Sequence, residues 1–258
     1  YFGMRQYPEA IKAYKTAIQL HPGFVSSYNS LGLTYNTTGQ YSEAIKVFET
    51  AIRLDSGFAS AYNNLGNAYL ALNQSVEAIQ AYQTAIRLNP NDVNFHYNLG
   101  VGYSRMKQYQ QAIAAFREAN RINPRCADAR NALEQVLAEV EKRTRQIQNN
   151  KELLKNNPND VDAYVELSRA HYALGQYEEV ISIFKELIQR QPDESKYYFT
   201  LGGVYKKLGR WQDAVRNFKK AVELTPVLLN EVPAELRDEV QGRKSGNVVP
   251  NRPHKEGS

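Results

Sequence analysis

A Leu-Gly dipeptide recurs along the chain at a fixed spacing, and this spacing constrains the fold more than any other sequence feature. Gly32, Gly66 and Gly100 lie 34 residues apart, and Gly202 follows Gly100 by 102 residues, three times 34. A period of roughly 20–50 residues is typical of solenoids and other repeat architectures, in which each repeat buries its apolar face by stacking on its neighbours. The chain is therefore expected to be an array of repeats in a single register.

Four further positions of the repeat carry the same class of residue in most copies. When each repeat is numbered from its first residue, which is Val25 in the first complete copy, the glycine is at position 8. Position 20 holds Ala, position 24 an aromatic ring, position 27 Ala and position 32 Pro. The residues at position 24 are Phe48, Tyr82, Phe116, Phe184 and Phe218. Small residues allow close helix packing, and the ring is expected to fill the space beside the next repeat.

Each repeat is predicted to contain two amphipathic helices, named here helix A and helix B, with a turn at position 15. In the repeat that starts at Ala59, Tyr62, Leu65 and Tyr69 follow helical spacing. Lys107 occupies the turn position against the usual preference. The other turn residues tolerate the left-handed conformation that ends a helix, and they are Gly39, Asn73, Gly175 and Gly209.

The junctions between repeats carry stop and start signals for helices. Proline at position 32 stops helix B, and the Asn-Asp pairs that follow Pro90 and Pro158 are predicted to cap the next helix A. The two predicted capping pairs are Asn91-Asp92 and Asn159-Asp160.

This pattern of an aromatic residue, Leu-Gly, Tyr, Ala, an aromatic residue, Ala and Pro resembles the tetratricopeptide-repeat family. The resemblance covers residues 1–126 and 161–228 closely, and it implies an all-α, right-handed superhelix of antiparallel helix pairs. It divides the chain into a first array over residues 1–126 and a second array over residues 161–228. The repeats are residues 1–24 (partial), 25–58, 59–92, 93–126, 161–194 and 195–228. Because Tyr1 falls at position 11 of a repeat, we expect a fragment or a processed form of a longer protein.

The segment 127–160 keeps the length of a repeat but not its interior. The positions of the aromatic, Gly, Ala and second aromatic residues hold Arg130, Glu134, Gln146 and Asn150. Apolar residues recur there every seven positions instead: Leu133, Val140, Ile147 and Leu154. Two interpretations remain open, one long connecting helix or a degenerate helix pair. A long helix would need a cover for its apolar stripe, from the second array or from another chain.

The regular pattern ends after Pro226. Residues 229–242 are predicted to form a capping helix with Pro233 in its first turn, because Val232, Leu236 and Val240 would lie on one face. Residues 243–258 contain few apolar residues and several helix breakers, and they are predicted to be a flexible tail.

Composition disfavours several classes of protein. The single cysteine, Cys126, cannot form an internal disulfide, and no apolar run is long enough to span a bilayer. These features leave the compartment undecided, with a soluble cytoplasmic location favoured. The net charge of +5 is mild, and aromatic stacking platforms among clustered basic residues are not evident, so we expect no nucleic acid partner.

Catalytic and metal-binding motifs are not evident in the sequence. His21, His96, His171 and His254 lie outside metal-ligand spacing of one another and of Cys126. No phosphate-binding loop, dinucleotide fingerprint or nucleophile elbow occurs. We therefore expect a protein that is not an enzyme and that uses no cofactor and no metal.

The family resemblance implies a concave groove lined by helices A, with positions 2, 5, 6, 9, 12 and 13 facing it. In the first array these positions are rich in amides and nearly uncharged, and an amide suits an extended peptide backbone because it both donates and accepts hydrogen bonds. The expected peptide-binding residues are Asn29, Asn36, Asn63, Asn64, Asn67, Asn94, Tyr97, Asn98 and Arg105.

Asn64 and Asn98 occupy position 6 of successive repeats. This arrangement resembles the asparagine ladder in the superhelical domain of O-linked N-acetylglucosamine transferase, and the alternative is that both are solvated residues without a ligand. The family's carboxylate clamp for acidic chaperone termini is absent. Of the five positions that the clamp requires, only Asn64 matches; the others hold Asn29, Leu33, Asn94 and Asn98.

The second array has a mixed-charge surface at the same positions. Its expected interaction residues are Arg169, Lys196, Lys206 and Lys207, which would hold a different ligand or form a dimer surface. The basic residues of the last repeat are interpreted either as a solvated face or as a docking patch for an acidic partner or a membrane surface.

Taken together, these features predict a protein–protein interaction scaffold that binds an extended peptide or partner protein in a concave polar groove. Two alternatives remain open: a self-assembling structural scaffold, which would be a homo-oligomer, and the regulatory arm of a larger enzyme.

Overall fold

The computed structural model describes residues 6–242, and the expected flexible tail at residues 243–258 lies outside the described residues. Secondary structure within residues 6–242 is helical, as expected for an all-α fold. The helices are α1 (Tyr7–Leu20), α2 (Val25–Thr37), α3 (Tyr41–Leu54), α4 (Ala59–Ala71), α5 (Ser75–Leu88), α6 (Val93–Arg105), α7 (Tyr109–Ile122), α8 (Ala127–Asn156), α9 (Val161–Ala173), α10 (Tyr177–Arg190), α11 (Ser195–Lys207), α12 (Trp211–Leu224) and α13 (Arg237–Val240).

The described residues form two compact bodies, residues 6–142 and residues 143–242. Helices A of the first body are α2, α4 and α6, and each packs on the helix B that follows it, α3, α5 or α7. In the second body α9 packs on α10 and α11 on α12 in the same way. Helix A has 13 residues and helix B has 14 in these pairs, so the sequence period corresponds directly to the helix pairs.

The glycine at position 8 allows the ring at position 24 to lie against helix A of its own repeat. A Cβ on Gly66 would be 2.5 Å from the Tyr82 ring, and one on Gly202 would be 2.7 Å from the Phe218 ring. The same contact joins Gly32 to Phe48 and Gly100 to Phe116, both at 2.5 Å. The rings are almost fully buried, and Phe48 also shares a cluster with Leu65 of the next repeat. The rings of Phe48, Tyr82 and Phe116 therefore contact helix A of their own repeat and share a cluster with apolar residues of the segment that follows.

The turn at position 15 has the left-handed backbone that the sequence predicts. Gly39, Gly175 and Gly209 have φ of 77°, 72° and 70°, and Asn73 has φ of 61°. Lys107 adopts the same conformation, with φ of 58°, although its Cβ is disfavoured there. The predicted caps are also present, because a side-chain oxygen of Asp92 accepts the backbone N–H of Asn94, and one of Asp160 accepts that of Ala163.

Residues 127–156 form one continuous helix, α8. Of the two interpretations of this segment, one long helix is therefore correct and a degenerate helix pair is not. Position 15 of this segment holds Glu141, so the chain has no residue there that favours a left-handed turn. The apolar stripe is covered inside each body. Leu133 and Val140 pack against the cluster around Phe116, and Ile147 and Leu154 pack against the core of the second body. Val136 of the same helix is buried, whereas Leu137 is 40% exposed.

The prediction of a single capping helix over residues 229–242 is wrong. Two 3-10 helices, Pro226–Asn230 and Ala234–Leu236, precede the short α13. Pro233 interrupts the segment with φ of −50° and ψ of 135°, and the residue before a proline avoids the α-helical region. The burial prediction is correct, because Val232, Leu236 and Val240 all join the core of the second body.

A pair of neighbouring glycines in α11 tests the ring contact. Gly202→Ala should lower the free energy of unfolding by about 1–3 kcal/mol, because the new methyl group overlaps the Phe218 ring. A Cβ on Gly203 would meet no atom of the described residues within 4 Å, so Gly203→Ala should raise stability by roughly 0.5–1 kcal/mol through helix propensity. Urea unfolding monitored by circular dichroism measures both, and equal effects of the two substitutions would contradict the contact.

Lys107 provides a test of the turn. Lys107→Gly should raise the urea midpoint, because glycine removes a strain of roughly 1–2 kcal/mol and this exceeds its greater entropy in the unfolded chain. Gly39→Ala, at the same position of another repeat, should lower the midpoint. A Lys107→Gly variant less stable than the natural chain would show that its left-handed conformation carries no strain.

Candidate functional site

A polar recess of about 500 Å³ opens on the surface of helices A in the first body. Six of the nine expected groove residues line it, and they are Asn29, Asn63, Asn64, Asn94, Tyr97 and Asn98. They come from positions 2, 5 and 6 of α2, α4 and α6, which are brought together by the regular stacking of the repeats. We call this surface the amide recess.

Four of these asparagines form a continuous chain of hydrogen bonds across three helices. Asn98 Nδ2 donates to Asn63 Oδ1 at 2.8 Å, and Asn64 Nδ2 donates to Asn29 Oδ1 at 2.9 Å. Within α4, Asn63 Nδ2 lies 3.4 Å from Asn64 Oδ1, which is a long contact. Both interhelical bonds join position 6 of one repeat to position 5 of the repeat before it, a separation of 35 residues.

The chain of amides leaves hydrogen-bonding capacity for a ligand. A carboxamide has two N–H donors and an oxygen with two acceptor sites, and each bond in the chain uses one donor and one acceptor site. Asn64 therefore retains one N–H and one lone pair, and Asn98 donates only one of its two N–H groups within the chain. Because Asn63 is only 8% exposed, its contacts mainly fix the geometry of the more exposed members.

Three expected groove residues lie outside the recess because other contacts hold them. The Tyr82 hydroxyl donates to Asn67 Oδ1 at 2.8 Å, and burial raises the pKa of the Tyr82 phenol well above its usual range. Asn36 Nδ2 donates to the Asn64 carbonyl at 3.3 Å. Arg105 donates to the Leu70 carbonyl at 2.8 Å. The structure thus assigns these side chains to contacts within the array.

Tyr97 contacts both the amide recess and the apolar core. Its ring lines the recess and also packs on Phe116, with ring centroids 5.8 Å apart and an angle of 49° between the planes. Tyr97 stands at position 5, where the two earlier repeats have Asn29 and Asn63. The amide chain therefore ends at Asn98, and an aromatic surface follows it.

The lining also includes Leu33 and Ser60, at the groove positions 9 and 2, and four residues that were not predicted to face the groove. These four are Asp92, Phe95, Cys126 and Asp128. Asp128 was missed because the segment 127–160 departs from the repeat pattern, yet it occupies position 2 of that segment, as Ser60 and Asn94 do in theirs. Asp92 was identified only as a helix cap.

The expected interaction residues of the second array are partly engaged in ion pairs. Lys206 Nζ lies 2.7 Å from Glu235 Oε1 in the C-terminal segment, and Arg169 pairs with Glu166 on its own helix. Lys196 and Lys207 are exposed. Within the last repeat, Asp213 also pairs with Arg210 at 2.9 Å and with Arg216 at 3.5 Å, which neutralises part of the basic surface.

Within residues 6–242, no group of three His, Cys, Asp or Glu side chains is placed to hold a metal ion. The helices of the same range include none that is both long and apolar enough to cross a membrane.

Asn67 and Tyr82 form a pair whose structural role can be measured. Asn67→Ala should cost about 1–3 kcal/mol of stability, because it leaves the buried Tyr82 hydroxyl without its acceptor. Adding Tyr82→Phe should recover most of this loss, since phenylalanine fills the same position in the other complete repeats. A double-mutant cycle by urea unfolding measures the coupling, and additive effects of the two changes would contradict it.

Comparison with known proteins identifies the repeats. Models described as TPR repeat match residues 1–39, 34–73 and 66–107, and models described as tetratricopeptide repeat match residues 93–126, 147–203 and 195–226. No curated protein matches the sequence.

Solved structures with a similar fold have low sequence identity to this chain. MamA is 22% identical over 88% of this chain and 94% of its own, with a TM-score of 0.44. A tetratricopeptide repeat protein from Parabacteroides merdae is 17% identical over 94% and 93%, with a TM-score of 0.48. YrrB, described as a TPR protein with an unusual peptide-binding site, is 18% identical over 90% and 99%, with a TM-score of 0.41. The TPR repeats support a role as a protein–protein interaction scaffold. Because the family matches span most of the sequence, the chain belongs to the tetratricopeptide-repeat family.

Proposed function

We propose that this scaffold binds an extended peptide segment of a partner protein in the amide recess of its first array. The observation that carries the proposal is the chain of hydrogen-bonded amides through Asn98, Asn63, Asn64 and Asn29, which spans three helices A. These bonds orient the carboxamides before a ligand arrives, so binding requires less ordering of side chains.

The chemistry of the recess suits a peptide backbone. An extended backbone presents alternating N–H and C=O groups, and each amide of the chain can offer both complementary groups. Such contacts depend little on the side chains of the peptide. Specificity would then come from the rest of the recess, where Leu33 and the ring of Tyr97 offer apolar surface.

Magnitudes indicate that both kinds of contact are needed. A net gain of about 1 kcal/mol per hydrogen bond gives roughly 3 kcal/mol for the three more exposed amides, Asn29, Asn64 and Asn98. Micromolar affinity requires about 8 kcal/mol. The remainder of about 5 kcal/mol corresponds to burial of roughly 200 Å² of apolar surface at about 25 cal/mol per Å², an area that one or two large side chains supply.

One of the two surfaces proposed for self-assembly is not available for contact between copies. The self-assembling alternative relied in part on the apolar stripe of α8 as a contact between copies, and Leu133, Val140, Ile147 and Leu154 are covered within their own bodies. Peptide binding in the first array therefore remains the function that the geometry supports best.

The test compares the natural chain with a double variant that carries both Asn64→Ala and Asn98→Ala. The probe is a displayed library of random 12-residue peptides selected on the natural chain. The selected peptides should bind the double variant about tenfold or more weakly, because two rungs of the amide chain are lost. Fluorescence anisotropy with labelled peptides measures the affinity, and circular dichroism checks that helicity is kept.

Asn36→Ala is the matched control. It also removes a hydrogen bond between neighbouring helices A, at the Asn64 carbonyl, but it leaves the lining of the recess intact. Its peptide affinity should therefore remain within about twofold of the natural chain. Equal affinity of the natural chain and the Asn64/Asn98 variant, with helicity retained, would overturn the proposal, as would a library that yields no binding peptide.

Cys126 gives an independent readout of where a peptide binds. It is the single cysteine of the chain, it is free, and it lines the amide recess. Bound peptide should slow its alkylation by N-ethylmaleimide, measured by intact mass. An unchanged rate at saturating peptide would place the peptide elsewhere.

A further inference from the structure

The charged residues that line the amide recess have a single sign. Asp92 and Asp128 line it, and the other side chains of its lining are amides, a hydroxyl, a thiol, apolar groups and aromatic rings. Arg105, the basic residue that the sequence placed in the groove, instead donates to the Leu70 carbonyl and is not part of the lining. The recess therefore presents net negative charge to whatever occupies it.

Both carboxylates retain free acceptor positions. Asp92 Oδ1 accepts the backbone N–H of Asn94 at 2.8 Å, which leaves Oδ2 for another donor. Asp128 is exposed in the first turn of α8. Among the residues that the structure describes, neither carboxylate is paired with a lysine or arginine.

Both residues also have an ordinary structural explanation, because aspartate is favoured at helix N-termini. A helix N-terminus carries about half a positive elementary charge, so each aspartate leaves roughly half a negative charge uncompensated. The remaining negative charge lies beside uncharged amides of the same lining. It disfavours an acidic ligand near Asp92 and Asp128 and favours a cation, whose N–H groups can donate to the free carboxylate oxygens.

We propose that the peptide held by the amide chain carries a lysine or arginine whose cation binds the Asp92 and Asp128 carboxylates. This inference rests on the proposed function, since the amides would hold the backbone while the two aspartates select one side chain. The occupant is thus a basic extended segment of a partner protein, the opposite in charge to the acidic chaperone termini that the absent carboxylate clamp would bind.

The test uses Asp92→Asn with Asp128→Asn in one variant. Asparagine caps a helix about as well as aspartate, so the Asn94 contact and the shape of the recess are kept while two negative charges are removed. The probe is the same displayed library of random 12-residue peptides, selected separately on the natural chain and on this variant.

Peptides selected on the natural chain should be enriched in lysine or arginine, and this enrichment should disappear on the variant. A selected basic peptide should bind the natural chain about threefold to tenfold more tightly than the variant. Because exposed charge pairs are screened by salt, that ratio should fall towards one between about 50 and 500 mM NaCl. The same peptide with its basic residue replaced by glutamine should bind both proteins equally.

The outcomes separate this inference from the proposed function. Peptides that depend on Asn64 and Asn98 but show no basic enrichment, or bind the Asp92/Asp128 variant as tightly as the natural chain, would overturn the charge selection and leave peptide binding standing. Enrichment in acidic residues would also overturn it. A library without binders would overturn both.

Discussion

The contact between the position-24 ring and the position-8 glycine sets the distance between helices A and B in four repeats. Glycine is required because a Cβ would lie 2.5–2.7 Å from the ring. Since the ring also reaches the apolar residues of the following repeat, one contact fixes the packing within a repeat and the stacking between repeats. Repeat proteins bury a continuous core only through such stacking. In the three complete repeats of the first body, this contact therefore helps to set where the residues on the surface of helices A lie.

The amide recess is a consequence of that regular stacking. Asn98 meets Asn63, and Asn64 meets Asn29, through the same separation of 35 residues that also places Arg105 at the Leu70 carbonyl. Neighbouring helices A are therefore related by nearly the same displacement at the recess and at their C-terminal ends. A short polar side chain at positions 5 and 6 is enough to build a hydrogen-bonded chain across helices. Tyr97 ends this chain and begins an aromatic surface.

The period predicted the helix pairs, the left-handed turns and the caps, because each depends on residues close in sequence. Contacts that depend on rotation between repeats were not predictable from the period alone. A strict period of 34 pairs equal positions, whereas the asparagines pair positions 5 and 6. Tyr82 did carry a usable signal, since the other complete repeats have phenylalanine at this position and a buried hydroxyl needs a partner, which Asn67 supplies. The prediction of a single C-terminal capping helix was wrong because Pro233 interrupts the segment. Its effect on the backbone outweighed the helical spacing of the apolar residues.

In the proposed function, the amides of the first array contact the ligand directly. Side-chain ¹⁵N–¹H NMR signals of Asn29, Asn63, Asn64 and Asn98, followed during titration with a library-selected peptide, test this claim. The signals of the more exposed amides, Asn64 and Asn98, should shift with the peptide, while that of Asn217 in the second body should stay fixed. Saturable peptide binding that leaves all four recess signals unchanged would contradict the account.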